Sequence, residues 1–208
     1  MSAPGADAVA VAHLRGADPV LATLIDACGQ PAQREVRADH YAALVRAIIG
    51  QQLSTHAARA IHGRLLAHFD GDEPSPAEIL DCDPEELRAA AGLSRAKVSF
   101  LRSLAEHIRD GSLELDRVAA LPDEEVIAEL VAVKGLGVWT AQMFLMFQLR
   151  RPDVLAVGDL GVRRAVERAY GLDGLPSPAQ LTGLAEPWRP HRTLACRYLW
   201  QSLDNAPG

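Results

Sequence analysis

In the stretch "DPVLATLIDACG", residues 18–29, apolar side chains fall at Val20, Leu21, Leu24 and Ile25, with Pro19 near the start and Gly29 at the end. That is the spacing of one helical face, bounded by a first-turn proline and a terminal glycine. The same period recurs along the chain, and no convincing period-two run flanked by hairpin turns interrupts it. This recurrence limits the fold more than composition does. It predicts an all-α protein.

Further helices follow from the same signals. "HYAALVRAIIG" places Leu44, Val45, Ile48 and Ile49 at helical spacing and stops at Gly50. Ser54 is a capping residue for "THAARAIHGRLLAHF". "DPEELRAAAG" and "SRAKVSFLRSLAEHIRDG" each open on a capping residue and end at glycine. "PDEEVIAELVAV" begins with Pro122 and first-turn acids, which suit the helix dipole. Then come "WTAQMFLMFQL", a helix from Asp159 to Tyr170, and a last one from Arg192 to Leu203. The expectation is about ten helices with short loops, the first beginning near Pro19, and "GLDGLPSP" is read as a loop.

Composition narrows the functional classes. Hydrophobic residues make up 49% and charged residues 23%, and no apolar run approaches the ~20 residues that span a bilayer. The opening lacks the basic start and apolar core of a secretory signal, so a cytoplasmic protein without membrane partners is expected. Cys28, Cys82 and Cys196 are too scattered for a disulfide framework or a zinc knuckle. His56, His62 and His68 recur every six residues, about 240° apart on a helix, so they share no metal-binding face. No metal or cofactor is expected. Net charge is −6, from 21 basic and 27 acidic residues, which by itself speaks against nucleic-acid binding. Backbone amides and helix N-termini, which formal charge does not count, remain open as a source of affinity for phosphate.

The chemistry-bearing segments start with "VKGLGVWTAQ", residues 133–142. A turn between helices needs at most one left-handed residue, so two glycines around Leu136 suggest a close approach to the backbone. Gly135 and Gly137 leave amides uncovered at a helix N-terminus, a ready phosphate site. A dinucleotide loop would follow a strand and carry a third glycine, so that reading fails. A tight αα-turn is the competing reading. Asp159 stands where a helix N-cap belongs, after a short extended apolar stretch. Taken alone it is a structural cap.

The order "IIGQQLS", "VKGLGVWTAQMFLMF", "PDVLAVGDLGVRR" and "PWRPHRTLACRYLW" resembles the helix-hairpin-helix DNA glycosylase superfamily, in its 3-methyladenine DNA glycosylase II branch, from Asp18 to Leu203. The resemblance implies a single glycosylase unit spanning 1–208. One lobe, 36–150, would hold the hairpin 133–138. A second lobe would be built from 1–35 and 151–208, with the active site in the cleft between the lobes. The hairpin would bind a DNA phosphate through Lys134, Gly135, Gly137 and Val138, often with a monovalent cation shared by backbone carbonyls, here those of Val133 and Gly135. Lys134 stands where the family commonly has proline, which loses rigidity and adds a cation.

Trp139 occupies the position at which lyase-competent members carry a Schiff-base lysine, so the resemblance implies base release without strand scission. It assigns Trp139, Trp200 and Met143 to the base pocket, the two indoles facing each other with Asp159 at its floor. A core tryptophan is the alternative reading of Trp139. Asp159 aligns with the catalytic aspartate and would stabilise an oxocarbenium-like sugar or orient water. Gln52 is assigned as the wedge that fills the gap left by an extruded base, with Leu53 competing. Arg163 and Arg164 would touch phosphate or pair with Glu167. Tyr198 and Cys196 are read as packing residues. Only Cys196 lies near the C-terminus, so the four-cysteine cluster of some relatives is absent, and the expectation is the minimal helical core without an N-terminal β domain.

The function so implied is a monomeric, cofactor-free DNA N-glycosylase of base excision repair. It would act on double-stranded DNA containing alkylated bases, 3-methyladenine and 7-methylguanine. The alternatives are a non-catalytic helix-hairpin-helix DNA-binding protein and a glycosylase for hypoxanthine, uracil or an oxidised purine.

Overall fold

The computed structural model describes residues 4–32 and 39–204. Among them there is no strand. The order is α1 (Pro4–Ala17), α2 (Pro19–Cys28), α3 (His40–Gly50), α4 (Thr55–His68), α5 (Pro76–Asp81), α6 (Pro84–Ala91) and α7 (Arg95–Arg109). There follow α8 (Leu115–Ala119), α9 (Asp123–Val131), α10 (Val138–Met143), a π-helical turn (Phe144–Gln148), α11 (Leu160–Tyr170), α12 (Pro178–Leu184), a 3-10 turn (Glu186–Trp188) and α13 (Arg192–Asp204). The chain divides into two compact units, one formed by Met1–Glu35 with Arg150–Gly208, the other by Val36–Leu149. The expected lobe boundary at Val36 lies outside the described residues. No helix is long and apolar enough to cross a membrane among the described residues.

Helix starts follow local side-chain chemistry. Asp18, Asp39, Ser54, Asp83, Ser94 and Asp159 each accept a first-turn backbone amide, a cap worth about 1 kcal/mol apiece. Gly92 ends α6 in the left-handed conformation. In the unit of residues 36–149, α7 buries Val98, Leu101, Leu104 and Ala105, the i, i+3, i+6, i+7 stripe of one face, and keeps Arg95 and Arg109 in solvent. Each fully buried leucine contributes roughly 2 kcal/mol of burial.

Six elements depart from expectation, α8 and the 3-10 turn among them. The opening segment forms α1, which buries Ala10 and Leu14 and bonds through His13 Nε2 to the Pro187 carbonyl at 3.1 Å. Its alanine-rich sequence favours helix without showing an apolar stripe. The short helices α5 and α12 begin at capping boxes, Ser75 with Glu78 and Ser177 with Gln180. The expected single helix after the hairpin changes to π geometry at Phe144, where the Leu149 amide reaches back to the Phe144 carbonyl at 3.0 Å. The wider turn buries Phe144, Leu145, Met146 and Gln148 together. Gln148 Nε2 meets His40 Nδ1 at 3.0 Å, and His40 packs edge-on against Phe144, which docks the turn on the start of α3.

In the unit built from both chain ends, Asp18 joins three elements. Its carboxylate caps α2 through the amides of Val20 and Leu21, and it accepts from Trp188 Nε1 at 2.8 Å and from the Tyr170 hydroxyl. The residue is 7% exposed. Burial alone raises its pKa, but the bonds from Tyr170, Trp188, Leu21 and Val20 outweigh it and hold the carboxyl below its usual range. A carboxyl depressed in the folded chain stabilises it fully above the unfolded pKa, near 3.9, and this fades as pH falls through the folded value. Asp18→Asn should therefore destabilise the protein at neutral pH by about 1–3 kcal/mol, with the deficit shrinking below about pH 4. Thermal melts of both proteins across that range measure it, and a pH-independent deficit would refute the linkage.

Candidate active site

The candidate side chains fall into two sets, one in each unit. The first centres on Asp159, at the N-cap of α11. Its Oδ1 accepts the Val162 amide at 2.8 Å and also the indole Nε1 of Trp200 at 2.8 Å. The two residues are 41 apart in sequence. Both are half-buried. Gly161 makes room for this meeting: a Cβ there would lie 3.0 Å from Asp159 Oδ1 and 3.0 Å from Trp200 Cδ1. The sequence reading passed over Gly161, although a glycine in the first turn of a helix is a visible signal of close packing.

The segment leading to Asp159 is fixed from the same helix. At the start of α13, Arg192 Nε bonds Asp153 Oδ1 at 2.7 Å and its NH2 group bonds the Asp153 carbonyl at 2.8 Å. Thr193 Oγ1 donates to the Arg151 carbonyl at 2.7 Å and accepts the Val154 amide at 3.0 Å. Val154, Leu155 and Ala156 are buried between these anchors and the carboxylate. Seven residues further along α13, about 10 Å by helical rise, Trp200 reaches Asp159. One helix thus holds both ends of the stretch.

Around this set, Tyr198 and Cys196 are buried packing residues, and burial pushes the Cys196 thiol up to about 12, so it is not a thiolate. Arg163 is committed neither to solvent nor to Glu167. Its Nε donates to the Pro176 carbonyl at 2.9 Å, while Arg164 is exposed.

The second set lies in the unit of residues 36–149. Val133 and Leu136 bury the hairpin at 1% and 3% exposure, and Lys134, Gly137, Val138 and Trp139 face solvent. The core reading of Trp139 is excluded by its 47% exposure. Met143 stands one turn later on the same helical face, half-buried.

The two glycines have different causes. Gly135 adopts φ +91°, and a Cβ there would sit 2.1 Å from Cγ of the Phe100 ring, so the fold itself demands glycine. Gly137 is extended at φ −96°, ψ 170°, and a Cβ would meet nothing within 4 Å. Only Gly137 is therefore left for close approach from outside. It and Val138 begin α10, where amides lack intrahelical acceptors.

The loop between α3 and α4 is tied to this hairpin by Gln51, a residue the sequence reading did not single out. Its Nε2 donates to the Gly135 carbonyl at 2.9 Å and lies 3.5 Å from Thr140 Oγ1. Lys97 of α7 donates to the Ile49 carbonyl at 2.6 Å on the other side. Between these ties Gln52 takes φ +57° and is exposed, and Leu53 is 39% exposed. Both wedge candidates thus project outward from a pinned loop. The carbonyls expected to share a cation already have donors: Gln51 on Gly135, and the Leu136 amide at 3.1 Å on Val133. Each of these carbonyls has accepted one hydrogen bond and keeps a second lone pair for the expected cation. No group of three or more potential metal-ligating His, Cys, Asp or Glu side chains occurs among the described residues.

Comparison with known proteins gives this geometry a context. The chain is 35% identical over 194 residues to DNA-3-methyladenine glycosylase 1 of Schizosaccharomyces pombe, covering 91% of this chain and 85% of that protein. The solved structure of the Schizosaccharomyces pombe 3-methyladenine DNA glycosylase in complex with abasic DNA superposes with a TM-score of 0.84 at 34% identity, covering 95% of this chain and 97% of that one. DNA-3-methyladenine glycosidase from Bacillus halodurans superposes with a TM-score of 0.82 at 33% identity, covering 98% and 91%. Residues 45–190, which run from α3 through the hairpin and Asp159 to the segment just before α13, match the family described as HhH-GPD superfamily base excision DNA repair protein, and this chain belongs to that family.

Proposed function

We propose that the chain is a monofunctional DNA N-glycosylase that releases alkylated purines, 3-methyladenine and 7-methylguanine, from duplex DNA and leaves an abasic site. The observation that carries this reading is the Asp159 carboxylate held by Trp200 Nε1 at 2.8 Å at the head of α11. The relatives named as 3-methyladenine glycosylases, one of them solved on abasic DNA, support the same substrate class.

An N3- or N7-alkylated purine carries positive charge and leaves readily, so no strong general acid is required. As the glycosidic bond lengthens, positive charge grows on the sugar. A carboxylate fixed by an amide and an indole N–H is set in place before that charge appears, and so loses little in reorganisation. The base departs as a neutral purine with the bonding electrons, and water adds to the sugar and loses its proton to solvent. Trp139 has no amine with which to form a Schiff base, so the backbone is not cut. Its exposed indole suits stacking on a cationic base, with Met143 beside it. Trp200 holds Asp159 by its ring edge. Gly137 and Val138 receive a phosphate on their amides with Lys134 beside them, and Gln52 fills the gap in the stack, Leu53 being its competitor.

Asp159→Asn keeps an oxygen for the Val162 amide and the Trp200 indole, so the fold should persist while the charge is lost. Release of 3-methyladenine from methylated duplex DNA should fall by about 10²–10³-fold, with thermal stability almost unchanged and no strand scission by either protein. Full release by the variant would remove Asp159 from the mechanism, and scission by the wild type would remove the monofunctional reading.

Gln51→Glu tests the tie between loop and hairpin. The carboxylate is isosteric but offers the Gly135 carbonyl no proton. DNA affinity or single-turnover release should drop about tenfold near pH 8 and recover towards wild type as the pH falls through about 4, where the carboxyl regains its proton. A loss that ignores pH would mean that Gln51 acts only through packing.

A further inference from the structure

We propose that a cationic groove beside the hairpin carries the phosphodiester backbone of duplex DNA flanking the lesion, an assignment that rests on the glycosylase reading above. The groove lies in the unit of residues 36–149 and has a volume of about 450 Å³. Arg88 of α6, Arg95 and Arg102 of α7 and Lys134 of the hairpin line it, opposed by the carboxylates Glu85 and Glu106. In a chain of net charge −6, four cations facing two carboxylates is a local inversion of sign.

The cations are also unevenly satisfied. Arg88 and Arg95 share the single carboxylate of Glu85, at 2.7 and 3.4 Å, and the Glu85 side chain is 60% exposed. Such solvent-exposed pairs are weak and yield to a stronger anion. The NH1 group of Arg102 donates to the carbonyls of Ile79, Leu80 and Cys82 at 3.1–3.2 Å, which fixes the guanidinium without cancelling its charge. Lys134 belongs both to this groove and to the exposed edge of the hairpin. A strand held at the Gly137 and Val138 amides therefore continues onto a charged track, which suits a chain of phosphates better than a single small anion.

Arg88→Gln with Arg95→Gln tests the proposal, since both side chains are outside the core and outside the catalytic set. Arg109→Gln with Arg168→Gln is the control, removing the same charge from exposed positions off the groove. Binding to a duplex carrying a tetrahydrofuran abasic analogue is followed by anisotropy from about 50 to 200 mM salt, a range over which phosphate contacts dominate. The groove variant should weaken binding about tenfold at the low end, and its log Kd against log salt slope should be shallower by about 1–2. Base release at saturating DNA should match wild type, so that KM rises and kcat does not. A slope equal to wild type or to the control pair would overturn the groove. Absence of DNA binding and base release in the wild type would instead overturn the reading on which it rests.

Discussion

The bond from Trp200 Nε1 to Asp159 Oδ1 is the constraint around which the carboxyl-terminal half is organised. A capping aspartate needs only the Val162 amide, and many helices stop there. Here a second donor arrives from α13, and Gly161 is kept small so that the indole can approach. Arg192 and Thr193, at the other end of α13, hold the chain at Arg151–Val154. Neither anchor has meaning alone. Together they place a carboxylate on a helix start with its direction set by buried residues 154–156 and an aromatic edge. Preorganisation of this kind separates a charge that stabilises a transition state from a surface acid that must first shed water.

The unit of residues 36–149 solves a parallel problem with α7 as the common support. Lys97 and Phe100 stand three residues apart on that helix and so share a face. The ammonium of Lys97 meets the last turn of α3 at the Ile49 carbonyl, and burial draws its pKa below the usual lysine value. The Phe100 ring fills the space that a side chain at 135 would take. Gln51 then closes the connection between loop and hairpin. The left-handed backbone of Gln52 costs about 1–2 kcal/mol, and such a residue persists only where its surroundings over-determine it. Ties on both sides of that residue meet the requirement.

Much of the fold is legible from apolar period and caps, because those signals are local. Ser54, Asp83, Ser94 and Asp159 cap the helices that their sequence positions announce. The capping boxes at Ser75 and Ser177 are equally local, but the helices behind them are only six and seven residues long, too short to show a period. α1 hides for the opposite reason, being long but alanine-rich and partnered by residues near Pro187. The π turn is invisible in principle, since it answers to His40 more than a hundred residues earlier. Within the site, resemblance names Asp159 and the hairpin but cannot distinguish Gly135 from Gly137. One is required by an aromatic ring that packs against it, the other by nothing in the fold, and only three-dimensional neighbours tell them apart. Gln51 and Gly161 escape for the same reason: their partners lie far away in sequence.

The negative net charge loses its force once the carboxylates are located. Asp18, Asp39, Asp83 and Asp159 are turned onto backbone amides, Glu73 onto His62 at 2.7 Å, and Asp153 onto Arg189 and Arg192. Three of the four acids of α9 sit in its first turn, at the end remote from the hairpin, and the fourth, Glu129, pairs with Arg117 at 3.0 Å. Formal charge counts a carboxylate holding a helix start in the same way as one facing solvent, although the first is partly offset by the positive end of the helix it caps. Residues 134–139 present one lysine, the opening amides of α10 and no carboxylate. The sign of a binding surface is set by where charges are spent, so a chain of net charge −6 can present a face suited to a polyanion.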